Sequence, residues 1–165
     1  DIVPDTPSGV AFESKLEDTT DITYTDGGAI VCDGSGDFLS IADHADLDLG
    51  SDDWTFEGWF YFRATSSTGS SFFSKWGSAR SYNFVWHNAD QNYKFAWSTD
   101  GSNETVITSA TFDREAETNR WVHMMVVRTS THIKVFRDGE EIINSNIGTA
   151  TIANTSEDLD RKSTL

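Results

Sequence analysis

Five aromatic side chains of this sequence are candidates for binding a sugar, because each lies in a short segment whose side chains alternate in character. The apolar face of a sugar ring packs well on an indole or phenol ring, while nearby amides and carboxylates hydrogen-bond its hydroxyls. The candidate ligand-binding residues are Trp59, Tyr61, Trp86, Tyr93 and Trp97. Large aromatic side chains also fill sandwich cores, so an interior position is the competing interpretation for each of them.

Two acidic clusters are candidates for holding a calcium ion, which prefers carboxylate and carbonyl oxygens. Asp100, Asn103 and Glu104 meet at the tip of a predicted hairpin. The other cluster consists of Asp46, Asp48, Asp52 and Asp53 in one turn region. Neither has the spacing of an EF-hand loop, and helix caps or turn hydrogen bonds explain the same residues. We therefore expect no required cofactor, with calcium at the hairpin tip as an optional ion.

No arrangement of residues predicts an enzyme. Hydrolysis of a glycoside needs two carboxylates that face one sugar, yet the sequence has no Glu-x-Asp-x-Glu triplet and Glu57 stands alone on its predicted strand. The four histidines lack the spacing of metal ligands. The single cysteine, Cys32, lies in an apolar run, where a small buried residue is expected rather than a nucleophile. We expect a protein without catalytic activity.

Short strands must position the candidate residues, and the clearest of them covers residues 53–62, DWTFEGWFYF. In a strand, alternate side chains point to opposite faces. One face of this segment carries Trp54, Phe56, Phe60 and Phe62, and the other carries Thr55, Glu57, Trp59 and Tyr61. Because one face is apolar and the other is mixed, we predict a central strand of a packed sheet rather than an edge strand.

Similar segments follow one another along the chain with turn signals between them. Strands are predicted at residues 10–16, 22–25, 29–32, 37–41, 72–76, 82–87, 93–98, 104–112, 120–128, 132–137, 140–144 and 147–152. One helical turn is predicted at residues 44–49, and Asp-Gly pairs at 100–101 and 138–139 predict hairpins. With residues 53–62 these are thirteen candidate segments, from which we expect about eleven or twelve short strands. Such strands without a long helical period predict an all-β protein, either a two-sheet sandwich or a jelly roll.

The length of 165 residues is that of one domain. We assign residues 1–9, which hold both prolines, to an arm or linker, residues 10–153 to the domain, and residues 154–165 to a polar C-terminal tail. A net charge of −15 argues against binding to nucleic acid and to anionic membranes, since both require cationic surfaces. No apolar segment is long enough for insertion into a membrane.

Four segments together resemble one family. They are DGSGDFLSI at residues 33–41, LDLGSDDWTFEGWFYF at 47–62, FFSKWG at 72–77 and RWVHMMVVRTSTHIKVFRDGEEI at 120–142. In their order and spacing they are similar to the laminin-G-like, concanavalin A-like lectin/glucanase jelly-roll domain, in the variety found in phage structural proteins and bacterial surface proteins. The resemblance implies two curved antiparallel sheets stacked face to face. It also implies binding of sugars or proteins, often with calcium, at the concave face or the rim loops.

The C-terminal end departs from the family pattern, because residues 154–165 are polar where the family has its closing strand. We therefore expect that strand to be absent, which would leave a neighbouring strand with unpaired backbone groups. Residues 10–16 are the expected neighbour. A second copy or another protein would then supply a strand, so we expect an oligomer or a place in a larger assembly.

The resulting prediction is a non-catalytic recognition module on a virion or bacterial surface, outside the cell, that binds a glycan or a partner protein. The alternative is a structural virion protein, a capsid decoration or fibre subunit, whose ligand is its neighbouring subunit. A degenerate glucanase is the third interpretation.

Overall fold

The computed structural model describes residues 23–24, 30–31, 38–62, 69–113 and 118–162, and twelve strands lie in these ranges. In chain order they are β1 (Thr23–Tyr24), β2 (Ile30–Val31), β3 (Phe38–Ile41), β4 (Trp54–Tyr61), β5 (Gly69–Trp76), β6 (Arg80–His87), β7 (Asn92–Trp97), β8 (Thr105–Thr108), β9 (Trp121–Thr129), β10 (His132–Arg137), β11 (Glu140–Asn146) and β12 (Leu159–Lys162). The helix in these ranges is a 3₁₀ turn at Ala45–Leu47, too short to cross a bilayer. Residues 10–16 and Cys32 lie outside the described residues, so the predictions made for them stay predictions.

Two larger antiparallel sheets build the fold, which confirms the predicted all-β sandwich, and β1 and β2 form a separate two-stranded sheet. One sheet has four strands in the order β11-β10-β9-β4, and the other has six in the order β3-β12-β5-β6-β7-β8. Aromatic rings from both sheets meet between them, as in the stacked pair Phe56 and Phe73, whose centroids are 4.3 Å apart. Within the six-stranded sheet, Phe72 of β5 stacks on Phe84 of β6 at 4.7 Å. Burial of such rings is the main apolar contribution to the core.

The alternation along β4 places side chains as predicted. Trp54, Phe56 and Phe60 pack against the core, while Glu57 and Trp59 point outward. The predicted central position is not confirmed, because β4 is the last described strand of the four-stranded sheet and pairs with β9 alone. Aromatic residues on both faces indicated burial on both faces, yet the outward rings are exposed to solvent.

The closing strand is present, so the expected absence of that strand and the polar tail assigned to residues 154–165 are both wrong. Its neighbours are β3 and β5 instead of the expected residues 10–16. β12 pairs with β3 through Leu159↔Ile41 and Asp160↔Ser40, and Asp160 also pairs with Ser74 of β5. Asp160 and Arg161 of this strand are half-buried. Leu159 packs against the core from an inward position. The predicted last strand at residues 147–152 is irregular backbone instead, although Ile152 is buried.

The chain leading into β12 is held by specific polar contacts. The Glu157 carboxylate accepts hydrogen bonds from the Ser78 hydroxyl at 2.8 Å and from the Ala79 N–H at 2.9 Å. A Cβ at Gly77 would lie 2.0 Å from this carboxylate, so the glycine of the FFSKWG segment makes room for it. The carbonyl of Thr155 accepts a hydrogen bond from the buried ammonium of Lys75. The last part of the domain is therefore fixed by side chains near the end of β5.

Both predicted Asp-Gly hairpins occur. Asp138 and Gly139 have φ values of 50° and 84°, which is the two-residue turn that such a pair favours between β10 and β11. The loop around Asp100 is longer and joins the paired strands β7 and β8. The predicted helical turn is confirmed, with the His44 ring accepting a hydrogen bond from the Asp46 N–H.

Candidate aromatic binding surface

Three aromatic rings point away from the core at one end of the four-stranded sheet. Trp59, Tyr61 and Trp121 are exposed by 64%, 41% and 49%. Antiparallel pairing of β4 with β9 places Tyr61 opposite Trp121 and Trp59 opposite His123. The Tyr61 and Trp121 rings are 5.4 Å apart at 65°, and the Trp59 and His123 rings are 5.0 Å apart at 46°. We name these four residues the aromatic platform.

The core side of the same two strands fixes the orientation of the platform. Val122 and Met124 of β9 are buried between the sheets, and Phe60 of β4 packs edge-on against Phe72 at 4.7 Å. Side chains alternate along both strands, so a core position at 60 or 122 puts the next residue outward. A slip of one residue would turn the platform inward and the core outward. The register that builds the core therefore also builds the exposed surface.

Polar groups stand at one side of the platform. The Glu57 carboxylate lies 3.7 Å from Nε2 of His123, and the two side chains are 60% and 24% exposed. The backbone of His123 is fixed by Asp138, whose Oδ1 accepts the His123 N–H at 2.9 Å. Burial raises the pKa of Asp138, but this hydrogen bond and the pairing with Arg120 at 2.8 Å outweigh it and hold the pKa below its ordinary value. The platform thus has the Glu57 carboxylate at its border, beside the imidazole of His123.

The structure separates the five predicted binding residues into two groups. Trp59 and Tyr61 lie together on the outward face. Trp86, Tyr93 and Trp97 are 3%, 0% and 4% exposed and belong to the core, so predicting them as ligand-binding residues was wrong. They share the inward face of β6 and β7, where Tyr93 packs edge-on against Trp86 at 4.9 Å. The alternation of side chains along each strand correctly grouped the residues that share a face. It does not show which face points toward the core.

Sequence reasoning missed two members of the platform, Trp121 and His123. Both lie in the nearly continuous apolar run RWVHMMVVR, where the period-2 pattern of a half-exposed strand is hidden. The signal that reveals them is the pairing of this run with residues 54–61, since it places position 121 opposite Tyr61. The register between two paired strands belongs to the tertiary structure, and the local sequence pattern does not contain it.

The predicted calcium ligands are already hydrogen-bonded within the protein. Asp100 accepts hydrogen bonds from the Ser102 and Asn103 N–H groups at 2.8 Å and from the Asn103 amide at 2.7 Å. These bonds hold the pKa of Asp100 well below its ordinary range. Glu104 instead lies 3.9 Å from Arg80. A calcium ion here would share the Asp100 carboxylate with these hydrogen bonds, and within the described residues no cluster of three or more His, Cys, Asp or Glu side chains suits a metal.

The second acidic cluster is also paired. Asp48 lies 3.0 Å from the Lys75 ammonium, and the Asp53 carboxylate accepts the Ser130 N–H at 2.6 Å. Both contacts join residues far apart in sequence, so they are not the helix caps and turn hydrogen bonds of the competing interpretation.

Calcium binding stays a prediction, and melting the protein in millimolar calcium and then in chelator checks it. An ion bound to the native state alone, at a hundredfold excess over its dissociation constant, would stabilise the protein by about 2.7 kcal/mol. Equal melting midpoints in the two conditions would contradict a structural calcium site.

A concave region separate from the platform lies between β3, the end of β5 and residues 156–160, with a volume of about 530 Å³. Phe38 and Trp76 line it together with Glu157 and Asp158. The two carboxylates are engaged there, since Glu157 accepts from Ser78 and Ala79, and Asp158 accepts the Asp43 N–H at 3.2 Å. Their contacts join the C-terminal segment to the sheet, which explains the carboxylates without a ligand.

The sequence profile described as the concanavalin A-like lectin/glucanases superfamily matches residues 33–160. The chain belongs to this superfamily. The match includes both strands of the aromatic platform and ends inside β12, which agrees with the presence of the closing strand. A comparison with curated protein sequences finds no match.

Solved structures share the concanavalin A-like fold at low sequence identity. The binding domain of Paraclostridial Mosquitocidal Protein 1 aligns over 90% of this chain and 39% of its own, with a TM-score of 0.71 and 11% identity. The receptor binding domain of botulinum neurotoxin D aligns over 93% of this chain and 40% of its own, with the same TM-score and identity. The carbohydrate binding module CBM66 from Bacillus subtilis aligns over 78% of this chain and 74% of its own, at TM-score 0.52 and 14% identity. The chain thus spans about two fifths of the length of the toxin domains. Its similarity to all three structures is a similarity of fold.

Proposed function

We propose that this protein is a non-catalytic recognition module that binds a glycan on the aromatic platform and is displayed on a virion or bacterial surface. The observation that carries the proposal is the set of three adjacent exposed rings, Trp59, Tyr61 and Trp121. Indole and phenol rings in water are costly to expose together, and exposed apolar patches mark interaction sites. A sugar ring offers both a C–H face for the rings and hydroxyls for the border.

The border of the platform supplies the hydrogen bonds that a sugar requires. A carboxylate such as that of Glu57 offers oxygens that accept hydrogen bonds from sugar hydroxyls, and the imidazole of His123 offers two ring nitrogens for hydrogen bonding. Both side chains keep part of their surface open to solvent. Stacking on flat rings with a few polar groups at the edge is the usual composition of a small-molecule site. The sheet positions the rings before the ligand arrives, which lowers the ordering cost of binding.

The comparisons support a recognition role of this kind. Among the similar folds, one is a receptor binding domain of a neurotoxin and another is a carbohydrate binding module. The superfamily also contains glucanases, for which two carboxylates facing one sugar are needed. On the outward face of β4, Glu57 is the one carboxylate.

A glycan array followed by measured affinities for the hits tests the proposal. Trp59→Ala should weaken binding at least about tenfold, the equivalent of about 1.4 kcal/mol, because it removes the most exposed ring of the platform. Trp76→Ala is the matched control, since this tryptophan lies in the other sheet.

The pattern of loss distinguishes the two surfaces. Loss of binding in Trp76→Ala with retention in Trp59→Ala would place the ligand in the cleft beside β3 and contradict the platform. An array without any glycan hit would contradict glycan recognition and favour the structural virion protein, whose ligand is a neighbouring subunit.

A further inference from the structure

We infer that Glu57 determines the specificity of the platform and restricts its ligands to neutral glycans, without sialic or uronic acids. The inference rests on the proposed function, since it concerns the same surface. Charged side chains face solvent on the four-stranded sheet and at the end of that sheet. Lys134 pairs with Glu141 at 3.1 Å, and Arg120 pairs with Asp138 at 2.8 Å. Each pair joins one positive and one negative side chain, and Arg137 adds a positive charge that also acts on Asp138.

Glu57 has no such permanent partner among the described residues. Its ionic contact there is His123 at 3.7 Å, which is charged only when protonated. Glu57 is two residues before Trp59 on the same outward face, so the two positions are about 7 Å apart along the strand. A ligand that stacks on Trp59 therefore meets one unneutralised negative charge at its edge.

The sign of this charge favours hydroxyls and disfavours carboxylates. A neutral sugar donates its hydroxyl hydrogens to Glu57, whereas an acidic sugar presents another acceptor of like charge. At about 6 Å, an effective dielectric constant between 20 and 80 corresponds to a loss of affinity between roughly threefold and a hundredfold, and roughly tenfold lies in the middle of this range. The net charge of −15 acts in the same direction at longer range.

Salt separates the local effect from the overall charge. At 0.15 M salt the Debye length is about 8 Å, so distant carboxylates are largely screened while a neighbour of the ligand still acts. A preference for neutral glycans that persists at this salt concentration points to Glu57 rather than to the chain as a whole.

The test compares lactose-terminated and sialyllactose-terminated probes, together with neutral and uronic acid-containing pairs of the same backbone, at 0.15 M salt. We expect the parent protein to favour the neutral member of each recognised pair by about tenfold. Glu57→Gln should bring the ratio close to one while retaining the neutral ligand, and Glu57→Lys should reverse it. Glu104→Gln, which removes the same charge beside the other sheet, should leave the ratio unchanged.

Each outcome bears on one of the two proposals. Glu57 is largely exposed, so equal melting midpoints will show that its variants are folded. An unchanged ratio in Glu57→Gln, or an equal shift in Glu104→Gln, overturns the role of Glu57, while loss of binding in Trp59→Ala would still uphold the platform. A parent protein that prefers the acidic probes overturns the specificity alone. The absence of binding to every probe overturns the proposed function and the inference with it.

Discussion

A chain that ends after Ala153 should fail to fold under conditions in which the complete chain is folded. The shortened chain lacks β12, which lies between β3 and β5 in the six-stranded sheet. Its loss leaves β3 without its described partner and exposes the backbone groups of β5. It also removes Leu159 from the edge of the core. Domains of this size are stable by about 5–15 kcal/mol in total, so the combined loss is comparable with the whole stability.

Circular dichroism and thermal melting of the shortened chain check this expectation. A synthetic peptide of residues 154–165, added in excess, should restore a cooperative transition, because β12 can pair with the strands on both sides when supplied separately. The full chain carrying Ser156→Ala, a change at an exposed position, is the matched control and should melt like the parent. A shortened chain that melts cooperatively within a few degrees of the parent would show that β12 is dispensable.

This strand also shows where sequence pattern is insufficient. Residues 159–162, LDRK, contain one apolar residue, and intrinsic strand preference disfavours Asp and Lys. The segment becomes a strand because β3 and β5 offer two sets of backbone partners, and because Asp43, Lys75 and Ala79 hold residues 155–158 in position. These contacts join positions about eighty or more apart in sequence, which no local pattern can report.

The strongly alternating segments were predicted well. β4, β6, β7 and β10 were found within two residues of their observed bounds, because each buries one face and repeats every second residue. The sequence pattern alone did not show which side chains of β6 and β7 face the core. The packing of these strands against the other sheet determines it. Trp86 is consequently a core residue and Trp59 a surface residue, although both stand in aromatic strands.

The replacement Lys75→Met should destabilise the native state by about 3–5 kcal/mol, the usual cost of breaking a buried ion pair from one side. The Lys75 ammonium is fully buried and lies 2.7 Å from Asp43 and 3.0 Å from Asp48. It also donates to the Thr155 carbonyl. Methionine fills a similar volume, so the loss is electrostatic rather than a cavity. For a chain of this length the melting midpoint should fall by about 6–20 °C.

Lys94→Met is the matched control, since this lysine lies in the same sheet but pairs with Asp90 at the surface. Exposed pairs contribute little to stability, so the control should melt close to the parent. A variant that combines Lys75→Met with Asp43→Asn and Asp48→Asn should recover much of the loss, because it no longer places two carboxylates beside an apolar side chain. Equal midpoints for Lys75→Met and Lys94→Met would mean that the buried ammonium does not fasten the C-terminal segment to β5. Destabilisation that persists in the triple variant would assign the loss to the Thr155 carbonyl instead of the two carboxylates.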